Sequence, residues 1–150
     1  MTKSLVLVIP GTPVGKGRPR FSARGKYVHT YTPEKTAAYE NLVKIAFAKA
    51  APPGFVPYDK DVPLEITIKA SFVPADSLSK KKKAAMLRGE VYPTKIPDID
   101  NLAKSILDGL HEVCYKNDSS VVKLSVEKLY SSVPEAVVVI REIDGEKSLK

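Results

Sequence analysis

The stretch Ile96-Pro97-Asp98-Ile99-Asp100-Asn101-Leu102-Ala103-Lys104 marks the point where an extended segment becomes a helix. It carries two carboxylates, a carboxamide and an amine. Pro97 lacks an N–H and biases Ile96 toward extended geometry. In an extended segment Asp98 and Asp100, at i and i+2, leave on the same side. From Asn101 the apolar period turns helical, through Leu102, Ala103, Ile106, Leu107, Leu110, Val113 and Cys114. Asp100, Asn101, Lys104, Asp108 and His111 fall on the opposite arc. The spacing predicts a helix over 101–114 that buries one face and presents acid, amide and amine on the other. That is the pattern of a cation site with a positive charge beside it. Helix capping is the rival reading, and spacing alone favours it for one of the two aspartates and leaves the other open.

Outward from this junction, 150 residues make one domain with one core. A formal net charge of +7, from 24 Lys and Arg against 17 Asp and Glu, fits either a basic solvated surface or a polyanion partner. The single cysteine, Cys114, excludes an intramolecular disulfide, and its place on the apolar face marks a buried thiol rather than a nucleophile. No apolar run approaches the roughly 18 residues of a membrane span. Ser4 to Ile9 is too short for a signal sequence and meets Pro10 without a cleavage site, so a cytoplasmic protein is expected.

Residues 4–9 read as a buried first strand. The basic loop 10–31 follows, dense in Gly and Pro and therefore expected to lack regular structure. Lys16, Arg18, Arg20, Arg24 and Lys26 interleave there with Phe21, Tyr27 and Tyr31, a pattern suited to phosphate contacts and stacking. A solvated loop explains the same residues equally well. Thr32-Pro33-Glu34 opens a helix with Thr as cap and Pro in the first position. Its apolar face is Ala38, Tyr39, Leu42, Val43, Ile45 and Ala46, and it ends before Pro52-Pro53-Gly54. Leu64 to Phe72 alternates as a half-exposed strand.

Residues 76–96 form a lysine-rich insertion with a short helix capped by Ser79 and closed by Gly89. The run Lys80 to Lys83 is read chiefly as solvation. Val121 to Tyr130 and Ala136 to Ile140 are the last strands, joined by a hairpin connection at 131–135, and 142–150 is a charged tail. The order β-α-β-(short helix)-α-β-β predicts an α+β domain with one mixed sheet and helices packed on it.

Asp118 is the third carboxylate of interest. It follows the helix and immediately precedes a strand. A fourteen-residue helix spans about 21 Å, so joining Asp118 to Asp98 and Asp100 requires a returning strand or a second subunit. Carboxylates without a His or Cys partner set suit Mg²⁺ or Mn²⁺ rather than zinc. Lys104, one turn from Asp100, would offset charge on a phosphoryl transition state.

The pattern Pro97-Asp98-Ile99-Asp100-Asn101-Leu102-Ala103-Lys104, then Asp108-Gly109-Leu110 and Tyr115-Lys116-Asn117-Asp118-Ser119-Ser120-Val121, resembles the signature of RusA-type Holliday junction resolvases. The opening Pro10 to Phe21 is similar to the prophage-associated branch of that family. The resemblance implies a homodimeric, Mg²⁺-dependent endonuclease that nicks four-way DNA junctions symmetrically in recombination and repair. Asp98, Asp100 and Asp118 are its implied metal-binding acids and Lys104 its catalytic lysine, with the post-helix Asp brought into the same site. Many members carry Asp where this chain has Asn117. Some carry Arg where it has Pro97, which shifts an electropositive contact to Lys95. The alternatives are a nuclease acting on other branched or flapped DNA, and a non-catalytic junction-binding protein whose aspartates only cap the helix.

Overall fold

The computed structural model describes residues 4–17, 20–24, 27–31 and 33–144. The strands are β1 (Ser4–Pro10), β2 (Arg20–Arg24), β3 (Tyr27–Tyr31), β4 (Leu64–Phe72), β5 (Val121–Tyr130) and β6 (Glu135–Glu142). The helices are α1 (Glu34–Ala50), α2 (Lys80–Leu87) and α3 (Ile99–Leu110). A four-stranded mixed sheet has the order β1-β6-β4-β5, and β2 and β3 form a separate two-stranded sheet. The expected α+β domain, with its mixed sheet and packed helices, is what the chain adopts.

Alternation drives the sheet. In β4, Leu64, Ile66, Ile68 and Ala70 are fully buried, while Glu65, Thr67 and Lys69 alternate onto the other face. Leu7 and Ile9 from β1, with Ala136, Val138 and Ile140 from β6, extend the same apolar layer. Tyr39, Val43 and Phe47 of α1 and Ile106 and Leu110 of α3 cover it. Each large aliphatic side chain buried this way stabilises the fold by about 1.5–3 kcal/mol before entropy is counted. The helices cross closely at Gly109, where an added Cβ would stand 2.7 Å from the Val43 Cβ.

Several sequence expectations change. The first strand is an edge strand with one face buried, and Val6 and Val8 are exposed. Residues 20–31, expected to lack regular structure, hold the antiparallel pair β2–β3, with Arg20 opposite Tyr31 and Arg24 opposite Tyr27. The density of Gly and Pro ends at Pro19, and the β-formers that follow flank a two-residue Gly25-Lys26 connection in the sequence. Helix α1 starts one residue late, with Pro33 in the cap position, and Thr32 lies outside the described residues. Within α1, Ile45 faces solvent and Phe47 takes its place in the core. Helix α3 starts at Ile99 and stops at Leu110, short of the expected Cys114.

The largest correction concerns the last two strands. β5 and β6 do not pair, because β4 lies between them, parallel to β5 and antiparallel to β6. The connection passes over the end of β4, where the Ser131 N–H donates to the Phe72 carbonyl at 2.9 Å. Local spacing resembles a hairpin, yet the chain crosses one strand before it returns. Among the described residues no helix is long and apolar enough to cross a membrane.

Candidate active site

Asp98 occupies the cap position of α3, with extended backbone, but its carboxylate accepts no capping hydrogen bond. Asp100 lies in the first helical turn. Strand alternation therefore does not set the direction of this pair. What gathers them is the N-terminal end of α3, whose unpaired N–H groups and dipole favour negative charge. Both side chains are exposed. The Ile96–Pro97 peptide immediately before them is cis.

The segment 14–17 is strapped across this end of α3. The Lys16 N–H donates to the Asn101 carbonyl at 2.8 Å. The Ser105 hydroxyl donates to the Val14 carbonyl at 2.7 Å, and the Gly17 N–H donates to the Thr36 hydroxyl at 2.9 Å. A Cβ at Gly15 would meet the Pro97 Cβ at 2.7 Å, so the strap approaches at a distance that only glycine permits. Between strap, α1 and α3 opens a cleft of about 830 Å³, with Val14, Lys16, Lys35, Pro97, Asp98 and Asn101 in its wall.

Lys16 was expected to touch phosphate. Its Nζ instead pairs with Glu40 Oε2 at 2.7 Å and Asp108 Oδ2 at 3.0 Å, in a largely covered position. Asp108 also meets the exposed Lys104 Nζ at 3.3 Å, one helical turn away. Burial opposes ionisation of Asp108, but hydrogen bonds and charge from Lys16 and Lys104 outweigh it and hold the carboxyl below its usual range. Burial likewise opposes the Lys16 charge, and the two carboxylates more than compensate, raising its pKa. The spacing of Lys104 and Asp108 was readable as a helical i,i+4 pair. Glu40, on another helix, carried no sequence signal.

Lys95 is exposed, and its carbonyl accepts from Lys128 Nζ at 2.5 Å. Arg20 and Arg24 lie in β2, whereas Arg18 and Lys26 lie outside the described residues. Cys114 is fully buried, and burial pushes its thiol up to about 12, so it carries no thiolate chemistry at neutral pH.

Asp118 opens a short 3₁₀ turn, Asp118–Ser120, at the start of β5. The Asn117 carboxamide oxygen accepts from the Ser119 N–H at 3.0 Å and the Ser119 hydroxyl at 2.9 Å. Asn117 thus shapes the turn that presents Asp118. The Ser120 hydroxyl donates to the Lys60 carbonyl at 3.0 Å, anchoring this end near the start of β4.

Asp98 and Asp100 lie at the opposite end of the molecule. Helix α3 separates the two regions by twelve residues, about 18 Å at 1.5 Å per residue. The returning strand β5 brings Lys128 and Tyr130, not Asp118, alongside Ile96. Among the described residues no three His, Cys, Asp or Glu side chains group closely enough to hold a metal ion. One chain thus presents two exposed carboxylates at the head of α3 and a third elsewhere.

The comparisons bear on this motif directly. The family described as Endodeoxyribonuclease RusA matches residues 10–141, which include both ends of the acidic pattern. The chain is also 36% identical over 135 residues to the Bacillus subtilis (strain 168) protein described as Uncharacterized protein YqaN, covering 90% of this chain and 94% of that one. With the acid-amide-amine junction heading α3 and the family match running across nearly the whole fold, the chain belongs to the RusA endodeoxyribonuclease family.

Proposed function

We propose that this protein is a Mg²⁺-dependent endodeoxyribonuclease that resolves four-way DNA junctions as a homodimer, by paired nicks on opposing strands in the cytoplasm. One observation carries the reading: Asp98 and Asp100 stand exposed at the positive end of α3, and the Asp98 carboxylate makes no capping hydrogen bond although it holds the cap position. Exposed carboxylates beside a cleft that Asp98 lines, on a chain of net charge +7, suit a bound cation and a polyanionic substrate. Asp98, Asp100 and Asp118 are the ligands, and Mn²⁺ is the chemically equivalent substitute. A Mg²⁺ ion held by these carboxylates would supply an activated water and polarise the phosphodiester. Lys104 lies one helical turn beyond Asp100 and offsets charge that builds on the phosphoryl group.

Arg18, Arg20, Arg24, Lys26 and Lys95 are the proposed backbone contacts. Lys16 contributes by holding the strap, since its charge is already matched by Glu40 and Asp108. A dimer suits the reaction because two symmetric nicks need two equivalent sites related as the strands are.

The deciding experiment is Asp100→Asn assayed on junction, linear duplex and flap DNA, with and without Mg²⁺. Junction binding is expected to persist while Mg²⁺-dependent cleavage falls at least about 100-fold, in line with loss of an electrostatic catalytic group. Unchanged cleavage would sink the assignment, and equal cutting of flap and junction would move the substrate to branched DNA in general.

A further inference from the structure

Lys104 stands four residues after Asp100 and four before Asp108, so both carboxylates lie on its ridge of α3. We propose that Asp108 is a positioning residue, which holds the Lys104 ammonium away from Asp100 and so keeps the head of α3 open to a divalent cation. The consequence for the cation rests on the nuclease reading above, whereas the choice of partner by Lys104 does not.

Helix geometry alone favours the other partner. Side chains lean toward the N-terminus of their helix, so a lysine reaches most easily to an acid one turn before it. Acid before base at i and i+4 is accordingly the better order. Asp100 then Lys104 is that order. The structure holds the reverse pair, with Lys104 Nζ donating to Asp108 Oδ1 at 3.3 Å.

The charges behind Asp108 account for the reversal. Lys16 Nζ lies 3.0 Å from Asp108 Oδ2 and 2.7 Å from Glu40 Oε2. Two carboxylates thus share one ammonium, which leaves one negative charge unmatched. These three side chains are only 19–23% exposed, so water screens that charge less than it screens Asp100. Asp100 already sits in the favourable field at the start of α3. Lys104 therefore goes where negative charge is least matched. Its own side chain is 60% exposed and its bond is long, so it leaves at little cost.

The chemical consequence concerns competition for oxygen. A lysine resting on Asp100 would occupy the oxygens that a hard cation needs and would repel the cation itself. Parked one turn further on, it yields those oxygens to the cation. The weak pairing with Asp108 then releases Lys104 to a phosphoryl group that binds beside the cation. Lys16 and Glu40 act one step further back, by fixing the carboxylate that parks the lysine.

Two experiments on the full-length chain test this. In carboxylate-detected carbon NMR without added metal, Lys104→Met should move the Asp108 side-chain resonance more than that of Asp100. An equal or larger shift at Asp100, or none at Asp108, overturns the proposal. The second experiment follows Mn²⁺ binding by paramagnetic resonance in the unaltered protein, Asp108→Asn, Lys104→Met and the D108N/K104M double variant. Asp108→Asn should weaken binding about twofold, the scale of an acid–lysine pair on a helix, because Lys104 falls back onto Asp100. In the Lys104→Met background the same change should have no effect. Loss of negative charge alone would weaken binding equally in both backgrounds, and that result overturns the proposal, as does unchanged binding by Asp108→Asn. Asparagine keeps an oxygen for Lys16, and circular dichroism verifies the fold; should folding fail, the NMR comparison, which leaves Asp108 in place, decides. If the unaltered protein binds no Mn²⁺, the nuclease reading falls and the NMR comparison still decides which carboxylate holds Lys104.

Discussion

Lys16 illustrates what a single residue discloses only in three dimensions. In the sequence it is one cation of a basic loop, beside arginines and glycines that suggest phosphate. Folded, it joins the strap to α1 and α3 by pairing with Glu40 and Asp108. Neither partner is near it in the chain, so no local pattern announces the network. The acid-amide-amine junction was legible because its residues are neighbours, and so was the buried thiol of Cys114, since periodicity assigns faces. The network has a pH signature. Asp108 ionises more readily in the folded state, so its contribution is present above the unfolded carboxyl pKa, about 3.9, and is lost as pH falls through the lower folded value. Lys16, with its pKa raised, contributes below the ordinary value of 10.5 and loses that contribution as pH rises through the folded value. Asp108→Asn is expected to lower stability at pH 7 by about 0.5–1.5 kcal/mol, the range for a partly solvated charged hydrogen bond. Urea unfolding of both proteins at pH 7 and pH 3 measures this, and the gap between them should narrow in acid. A constant gap would mean that the carboxylate charge is not what matters.

At the scale of elements, the legible parts were those with local causes. The short helix α2 appears where Ser79 and Gly89 bracket it, with the Ser79 hydroxyl accepting from the Lys82 N–H at 3.2 Å and Gly89 at a φ of 82°. Strand β4 ends where its alternation ends. The β2–β3 pair is hard to see in the sequence because glycine and proline crowd the residues just before it, while its own β-formers make only two five-residue runs. Helix α3 is shorter than its apolar period, since Val113 and Cys114 stay near the core through a turn rather than through continued helix. The contact between α1 and α3 depends on Gly109. Alanine there gains helix propensity worth about 1 kcal/mol but drives a Cβ to 2.7 Å from Val43 Cβ and 3.1 Å from the Glu40 carbonyl. Overpacking of this kind costs about 1–3 kcal/mol, so Gly109→Ala should melt below the unaltered protein. A higher melting temperature would show that the helices have room to separate.

Across the whole molecule, composition and element order were enough for an α+β domain with a mixed sheet, because a helical crossover favours parallel strands, as between β4 and β5, while the short connection before β6 reverses the chain. Strand order was not legible. It depends on pairings between β6 and both β1 and β4, far apart in sequence, and the short connection before β6 mimics a hairpin. Since β1 and β4 touch only through β6, removing that strand splits the sheet. A chain stopped at Val133 is expected to lack a cooperative thermal transition by circular dichroism, while one stopped at Asp144 keeps it. Cooperative melting of the shorter chain would contradict the central place of β6.

The position of β6 also orders events during synthesis. As the chain leaves the ribosome, β1, α1, β4, α3 and β5 all emerge before the strand that joins them. Two apolar strand edges wait on either side of an empty slot until residues 135–142 arrive. Until then each edge is a template for pairing with another nascent chain, the hazard that accompanies non-local sheets. Slow translation just upstream of Glu135 should therefore favour aggregates, and fast completion should favour the folded nuclease.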